Sequence, residues 1–370
     1  MILGVSSEQE ELRASVRRFL ADRAPLSRVR ALMDGGETDW AVWEQAGTQL
    51  GLQGLAIPEA YGGAGFSFAE QAVVLEEFGA ALYGGPYLAS AVLAATALLA
   101  IPDEGARRGL LPDIASGQTV ATLAFTEDGG SWDPAAIRLS AVKDGEAWRL
   151  DGHKSFVLDG ATAGLILVVA TTDAGLSLFA VEGDAAGLGR AALPALDQTR
   201  QLARLEFAGV TGRLIGSPGD GAAALDRALD VAAVALAAEQ LGGAQRALDM
   251  AVEYAKIRRQ FDRPIGSFQA IKHRCADLLL EVESLRSAVG YAAAAVAEDS
   301  AEIPVLASMV KAYASETYFH VAAENIQIHG GIGFTWEHDA HLYFKRAKAS
   351  ELFLGDGAYH RERLANRIGL

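Results

Sequence analysis

The hydrophobic period of this 370-residue chain changes twice, and that change limits what it can fold into. Apolar residues recur at helical spacing over 7–21, Trp40–Leu50, a long run from Ser67 and 89–100. From about Gln118 short alternating runs take over, at 120–125, 137–142, 147–150, 154–158, 165–171, 176–181 and 202–207. Lys143-Asp144-Gly145 and Asp159-Gly160 supply turns between them. Helical spacing returns near Gly221, broken at 262–266, Pro304 and 330–333. The expected fold class is α+β: an N-terminal helical domain at 1–117, a middle antiparallel β-domain (barrel or sandwich) at 118–216, and a C-terminal helical domain at 217–370.

Inside the last helical region, YAKIRRQFDRPIGSFQAIKH (254–273) groups Arg258, Arg259, Arg263 and Lys272 around a helix break. Pro264 ends the first helix because it lacks an N–H and displaces its predecessor from helical geometry. Ser267 is expected to cap the next helix. Guanidinium groups beside a new helix N-terminus suit a phosphate or pyrophosphate. A solvated basic corner would use the same letters. Further on, Gln327-Ile328-His329-Gly330-Gly331-Ile332-Gly333-Phe334 ends a helix in glycines, which permit close approach of backbone or phosphate.

In order, R-x-Q-F-x-x-P-I-x-x-F-Q-x-x-K-H resembles the signature of the acyl-CoA dehydrogenase superfamily. The resemblance implies a helical domain, a β-domain and a C-terminal four-helix bundle, with FAD as cofactor. It assigns Arg258, Gln260, Phe261, Phe268 and Gln269 to the cofactor of a neighbouring subunit. Q-x-x-G-G-x-G-F adds Gln327, Gly330 and Gly331. LGLQGLAIPEAYGGAG (50–65) matches the family's N-terminal loop, and no site residue is assigned there. Phe125-Thr126-Glu127-Asp128-Gly129-Gly130-Ser131 resembles T-E-P-x-A-G-S-D, with Asp128 in place of proline and one residue fewer. That match places Phe125, Thr126 and Ser131 near the flavin. Lys154-Ser155-Phe156-Val157 resembles K-x-F-I-T and adds Phe156 and Val157. Asp262 stands where the family has glycine.

The catalytic base is where the chain departs from this pattern. Removing the Cα proton of an acyl thioester needs a carboxylate. The family's E-G-T position, six residues beyond Lys348, is Leu354, and the alternative position on the preceding helix is Ala232. Glu239 lies seven residues from Ala232, about two turns or ~10 Å along the same helix face. It sits among apolar residues, where desolvation would raise its pKa, and is the expected base. An arginine partner for it is the alternative. Asp356 is second and Glu351 third. Trp336, His338 and His341 read as packing or surface residues, and no metal site is expected.

A net charge of −15 argues against nucleic-acid binding, and apolar runs such as 88–101 are too short to span a bilayer. A single cysteine, Cys275, and no recognisable leader point to the cytoplasm. The expected activity is α,β-dehydrogenation of an acyl-CoA thioester with a bulky or branched acyl group, as in actinobacterial members acting on sterol side chains. Electrons would pass to an electron-transfer flavoprotein, and the chain would form a homotetramer or an α2β2 heterotetramer. Two alternatives remain open: a subunit that shares FAD and base with another chain, and a flavin monooxygenase or oxidase on the same scaffold.

Overall fold

A computed structural model describes residues 6–33, 35 and 38–370, which group by contact into two compact units. The first holds residues 6–31, Phe68–Tyr83 and Ala233–Leu370; the second holds 32–67 and Gly84–Ala232. Neither unit coincides with one of the three segments expected from periodicity.

In the first unit, helix α1 (Ser7–Arg23) starts from a capping box in which Ser6 and Gln9 exchange hydrogen bonds of 3.1 and 3.2 Å. The N-cap is Ser6, immediately before the run expected to be helical. Helix α2 (Leu26–Met33), most of which belongs here, was not foreseen. Helix α4 (Phe68–Ala80) lies on the portion of α7 (Gly221–Ile257) that belongs to this unit. Two glycines set their separation. A Cβ on Gly79 would stand 1.9 Å from the Glu239 carbonyl oxygen, and one on Gly242 would stand 1.7 Å from that of Glu76. Only glycine permits backbones this close. Helices α8 (Gln269–Ala297), α10 (Ala340–Leu352) and α11 (Gly357–Arg367) pack on α9 (Ile303–His329), whose Val310, Ala314, Tyr318 and Val321 are buried.

The second unit contains α3 (Trp40–Leu50), a π-helical turn at Leu88–Ala94 that runs into α5 (Ala95–Ala100), and α6 (Glu104–Ala115). Its seven strands are β1 (Ala121–Ala124), β2 (Ser140–Asp144), β3 (Ala147–Leu158), β4 (Leu165–Thr172), β5 (Gly175–Glu182), β6 (Leu188–Leu193) and β7 (Leu202–Ile215). Pairings β2–β3–β7–β5–β4–β2 close a ring, with β1 added to β4 and β6 to β7. The all-antiparallel expectation needs correcting at two places, because β1 pairs with β4 and β2 touches β4 in parallel. The two runs expected at 147–150 and 154–158 are one strand, bent at Gly152, whose φ of +133° absorbs an irregular register. Strand β4 is buried along nearly its whole length, which explains its unbroken apolar run. Among the described residues no helix is long and apolar enough to cross a membrane.

Candidate active site

In the second unit, the segment after β1 is held by a buried lysine. Lys154 is 0% exposed, and its ammonium donates to the Phe125 carbonyl at 3.0 Å and to Glu127 Oε1 at 2.9 Å. The same oxygen accepts the backbone N–H groups of Arg138 and Leu139 at 2.8 and 2.7 Å. The Ser155 N–H donates to the Thr126 carbonyl at 2.8 Å. Thr126, between these ties, is buried, yet its hydroxyl has no hydrogen-bond partner among the described residues. Burial pulls the Lys154 ammonium down to about 8, although Glu127 opposes that shift. The Lys154 ammonium with its bonds to carboxylate and carbonyl, the Ser155 amide and Thr126 form one continuous assembly.

Asp128, in the place of the family's proline, is a hub. It accepts from Ser155, from Arg204 Nε at 3.1 Å and from His153 Nε2 at 3.0 Å. The Arg204 and Ser155 hydrogen bonds hold its carboxyl below the usual range. Three side-chain ties thus restrain a loop that proline would stiffen through its ring. Phe125 and Ser131 line one small cavity of about 20 Å³, and the Ser131 hydroxyl accepts from the Asp133 N–H at 3.2 Å. Phe156 adopts φ +57° with its ring partly exposed, whereas Val157 points into the core. The register shift between Lys154 and Val157 produces this re-aiming.

In the first unit, the arginine stretch forms a two-residue hairpin, β8 (Arg259–Gln260) with β9 (Arg263–Pro264). Phe261 and Asp262 occupy its tip at φ +51° and +60°. Aspartate tolerates that conformation better than most residues, which accounts for its standing in a glycine position. Arg258, Gln260, Phe261 and Gln269 are exposed, and Arg258 makes no ion pair among the described residues. Phe268 meets Phe261 edge-on at 6.1 Å, with the Arg263 guanidinium 4.0 Å over its ring. Phe268, not Ser267, is the N-cap of α8, and no side chain caps it. Ser267 is instead taken into a 3₁₀ turn at Ile265–Ser267.

The glycine motif comes to the same place. Tyr254 stacks on His329 at 4.2 Å, and Ala251, Ala255 and Ile328 share a small core with Ile265 and Cys275. Gln327, Gly330 and Gly331 are exposed beside it, Gly330 at φ +67°. His338 continues the stack at 4.3 Å from His329, and Arg30 donates to Asp339 and to the Trp336 and His338 carbonyls. Of the residues expected to be packing or surface, His341 is buried and Trp336 exposed.

The base positions carry no carboxylate. Leu354 is buried at φ +63°, pinned by the His360 Nε2–H, which donates to its carbonyl at 3.0 Å. Lys311 anchors the same turn, donating to the carbonyls of Gly355 at 3.0 Å and Glu351 at 3.2 Å. Ala232 is buried on α7. The Glu239 carboxylate meets the Arg346 guanidinium at 2.5 Å, with side-chain exposures of 8% and 2%. This is the arginine partner that stood as the alternative reading of Glu239. Asp356 caps α11 by accepting the Tyr359 N–H at 2.8 Å, and Glu351 pairs with Lys348 at 3.0 Å. Sequence reasoning missed Arg346 and the ties made by Lys154. Only the buried position of a lone cation within an apolar alternation could have signalled the latter.

Known proteins point the same way as this geometry. Models of the acyl-CoA dehydrogenase N-terminal, middle and C-terminal domains match residues 6–118, 122–210 and 219–369. The chain is 37% identical over 349 residues to the acyl-CoA dehydrogenase IpdE2 of Mycobacterium tuberculosis, covering 94% of this chain and 93% of that one. It is similar to the solved Tcur3481-Tcur3483 steroid ACAD, with a TM-score of 0.88 at 35% identity over 99% of both chains. It is also similar to the ChsE4-ChsE5 complex from Mycobacterium tuberculosis, with a TM-score of 0.90 at 30% identity over 100% of this chain and 99% of that one. The chain belongs to the acyl-CoA dehydrogenase family and is an oxidoreductase whose cofactor is FAD.

Proposed function

We propose that this chain is one component of a two-chain acyl-CoA dehydrogenase for a bulky, steroid-like acyl thioester, and that the proton-abstracting carboxylate comes from the other chain. The observation that carries this reading is the Glu239–Arg346 ion pair. It engages the buried acid expected to act as the base, while Leu354 and Ala232 fill the two family positions themselves. Support comes from the relatives, because two similar structures are named as pairs of components, one of them steroid-directed.

The residues present fit FAD. The orphaned Thr126 hydroxyl is a buried polar group that a ligand would satisfy, and the exposed Arg258 offers a guanidinium to a pyrophosphate. Phe125, Thr126, Ser131 and Phe156 would line the ring-binding part of the site, with Val157, whose side chain is turned into the core, contributing through its backbone. Arg258, Gln260, Phe261, Phe268, Gln269, Gln327, Gly330 and Gly331 would hold the rest, at a subunit interface. When bound, FAD supplies the acceptor for the hydride leaving the thioester Cβ. This chain's own contribution is to orient: Thr126 and Ser131 donate from hydroxyls, and Phe125 and Phe156 exclude water. The proposal includes the three domains at 1–117, 118–216 and 217–370, an α2β2 assembly, a cytoplasmic location and an electron-transfer flavoprotein as acceptor.

The test is anaerobic titration with a panel of acyl-CoA thioesters, followed at the flavin absorbance maximum. It compares the chain expressed alone with the tagged chain isolated as an assembly from its own cells. The assembly should bleach with steroid-like thioesters and the lone chain should not. If the lone chain bleaches, and Glu239→Gln abolishes this, Glu239 is the base and the two-chain reading falls.

A further inference from the structure

A fully buried ammonium is an expensive way to fill space. An apolar side chain of similar size would occupy the Lys154 position without desolvating a charge. What an apolar side chain cannot do is draw two oxygens to one point. Lys154 brings together the carbonyl of Phe125 and the carboxylate of Glu127, the residues on either side of Thr126. Glu127 is locked in turn by two backbone amides, so the lysine pulls against a fixed point. The Thr126 carbonyl is already taken by the Ser155 N–H. The backbone on both sides of Thr126 is thus tied down, and its buried hydroxyl is the group of this segment left without a partner among the described residues.

We propose that Lys154 is a positioning residue for the cofactor: it fixes the 125–127 backbone so that the Thr126 hydroxyl is presented to FAD. The assignment rests on the FAD reading above and deepens it. Asp128 and its partners restrain the far side of the same loop from the surface, so removing Lys154 frees the inner tie alone.

The experiment measures FAD affinity of the deflavinated assembly by fluorescence quenching, together with the visible flavin spectrum. Lys154→Met and Thr126→Val should each weaken FAD binding about ten-fold, on the order of one lost hydrogen bond in a buried site, and each should shift the flavin band. The double variant should bind no more weakly than either single one, because both remove the same contact. Additive losses, or a Lys154→Met assembly with wild-type affinity and spectrum, would overturn the assignment. If Lys154→Met does not fold, Glu127→Gln keeps the lysine and removes its countercharge. Weakened FAD binding there supports the assignment, and wild-type binding overturns it. A wild-type assembly that takes up no FAD would sink the cofactor reading itself, a result distinguishable from equal binding by wild type and variant.

Discussion

Arg346 Nη1 lies 2.5 Å from Glu239 Oε1, and the pair is almost wholly withdrawn from water. Removing one partner of such a pair leaves a buried charge without its counterpart, which costs about 3–5 kcal/mol. Arg346→Met and Glu239→Gln should therefore each lower stability in urea unfolding, because each leaves the other member's charge buried. Replacing both with methionine should recover most of the loss. Equal stability of wild type and Arg346→Met would show that the pair is not coupled as its geometry requires.

Leu354 stands at the family's usual base position, in a turn already anchored by Lys311 and His360. Leu354→Glu should install a base at this chain's own site. Anaerobic flavin reduction there should then rise by roughly 10²–10⁴, the usual scale of general-base assistance. No rise would mean that the acyl group does not reach this turn. The variant also buries a carboxyl group, so a modest loss of stability should accompany the gain.

His360 supplies a pH dependence. Burial, reinforced by Lys311, Arg363 and Arg367, depresses its pKa to about 3 from an ordinary 6.5. Its Nε2–H donates to a carbonyl, which fixes the neutral tautomer. The unfolded chain binds a proton near pH 6.5 and the folded one does not. Stability from this group is therefore complete above about 6.5 and is lost as pH falls, at about 1.4 kcal/mol per pH unit down to about 3. Thermal unfolding of His360→Gln between pH 7 and 4, by roughly one-unit steps, should show a flatter acid limb than wild type.

The order of helix, strand and helix was legible because each periodicity persists over many residues. Motif order did as much for the family and its cofactor. What escaped was short or long-range. Strand β6, LGRAAL, is too poor in large apolar residues to alternate visibly. Helix α6 contains Pro112, a helix breaker in sequence terms that is accommodated near that helix's end. The parallel pairing of β1 with β4 joins segments far apart in the chain, and no local signal encodes it. The same holds at the site. Glu239 could be placed on a helix face, but its partner lies 107 residues away and only the fold brings them together.

Gly79 and Gly242 give a packing prediction. Gly79→Ala or Gly242→Ala would force a methyl group into a carbonyl oxygen, so α4 and α7 would have to separate. The cost should reach or exceed the 1–3 kcal/mol typical of overpacked cores, about the scale at which calorimetry resolves a clear drop in melting temperature. Gly109→Ala, with open space around it, serves as the control and should change little.

Because α4 and α7 touch through their main chains, α7 can neither roll nor slide along that crossing. The direction in which its side chains point is therefore set by geometry that no side-chain substitution elsewhere can retune. Divergence among chains of this type should then proceed by exchanging residues along an immobile rail: a site that loses its acid does not regain it by a shift of the helix, only by a new letter at a given position.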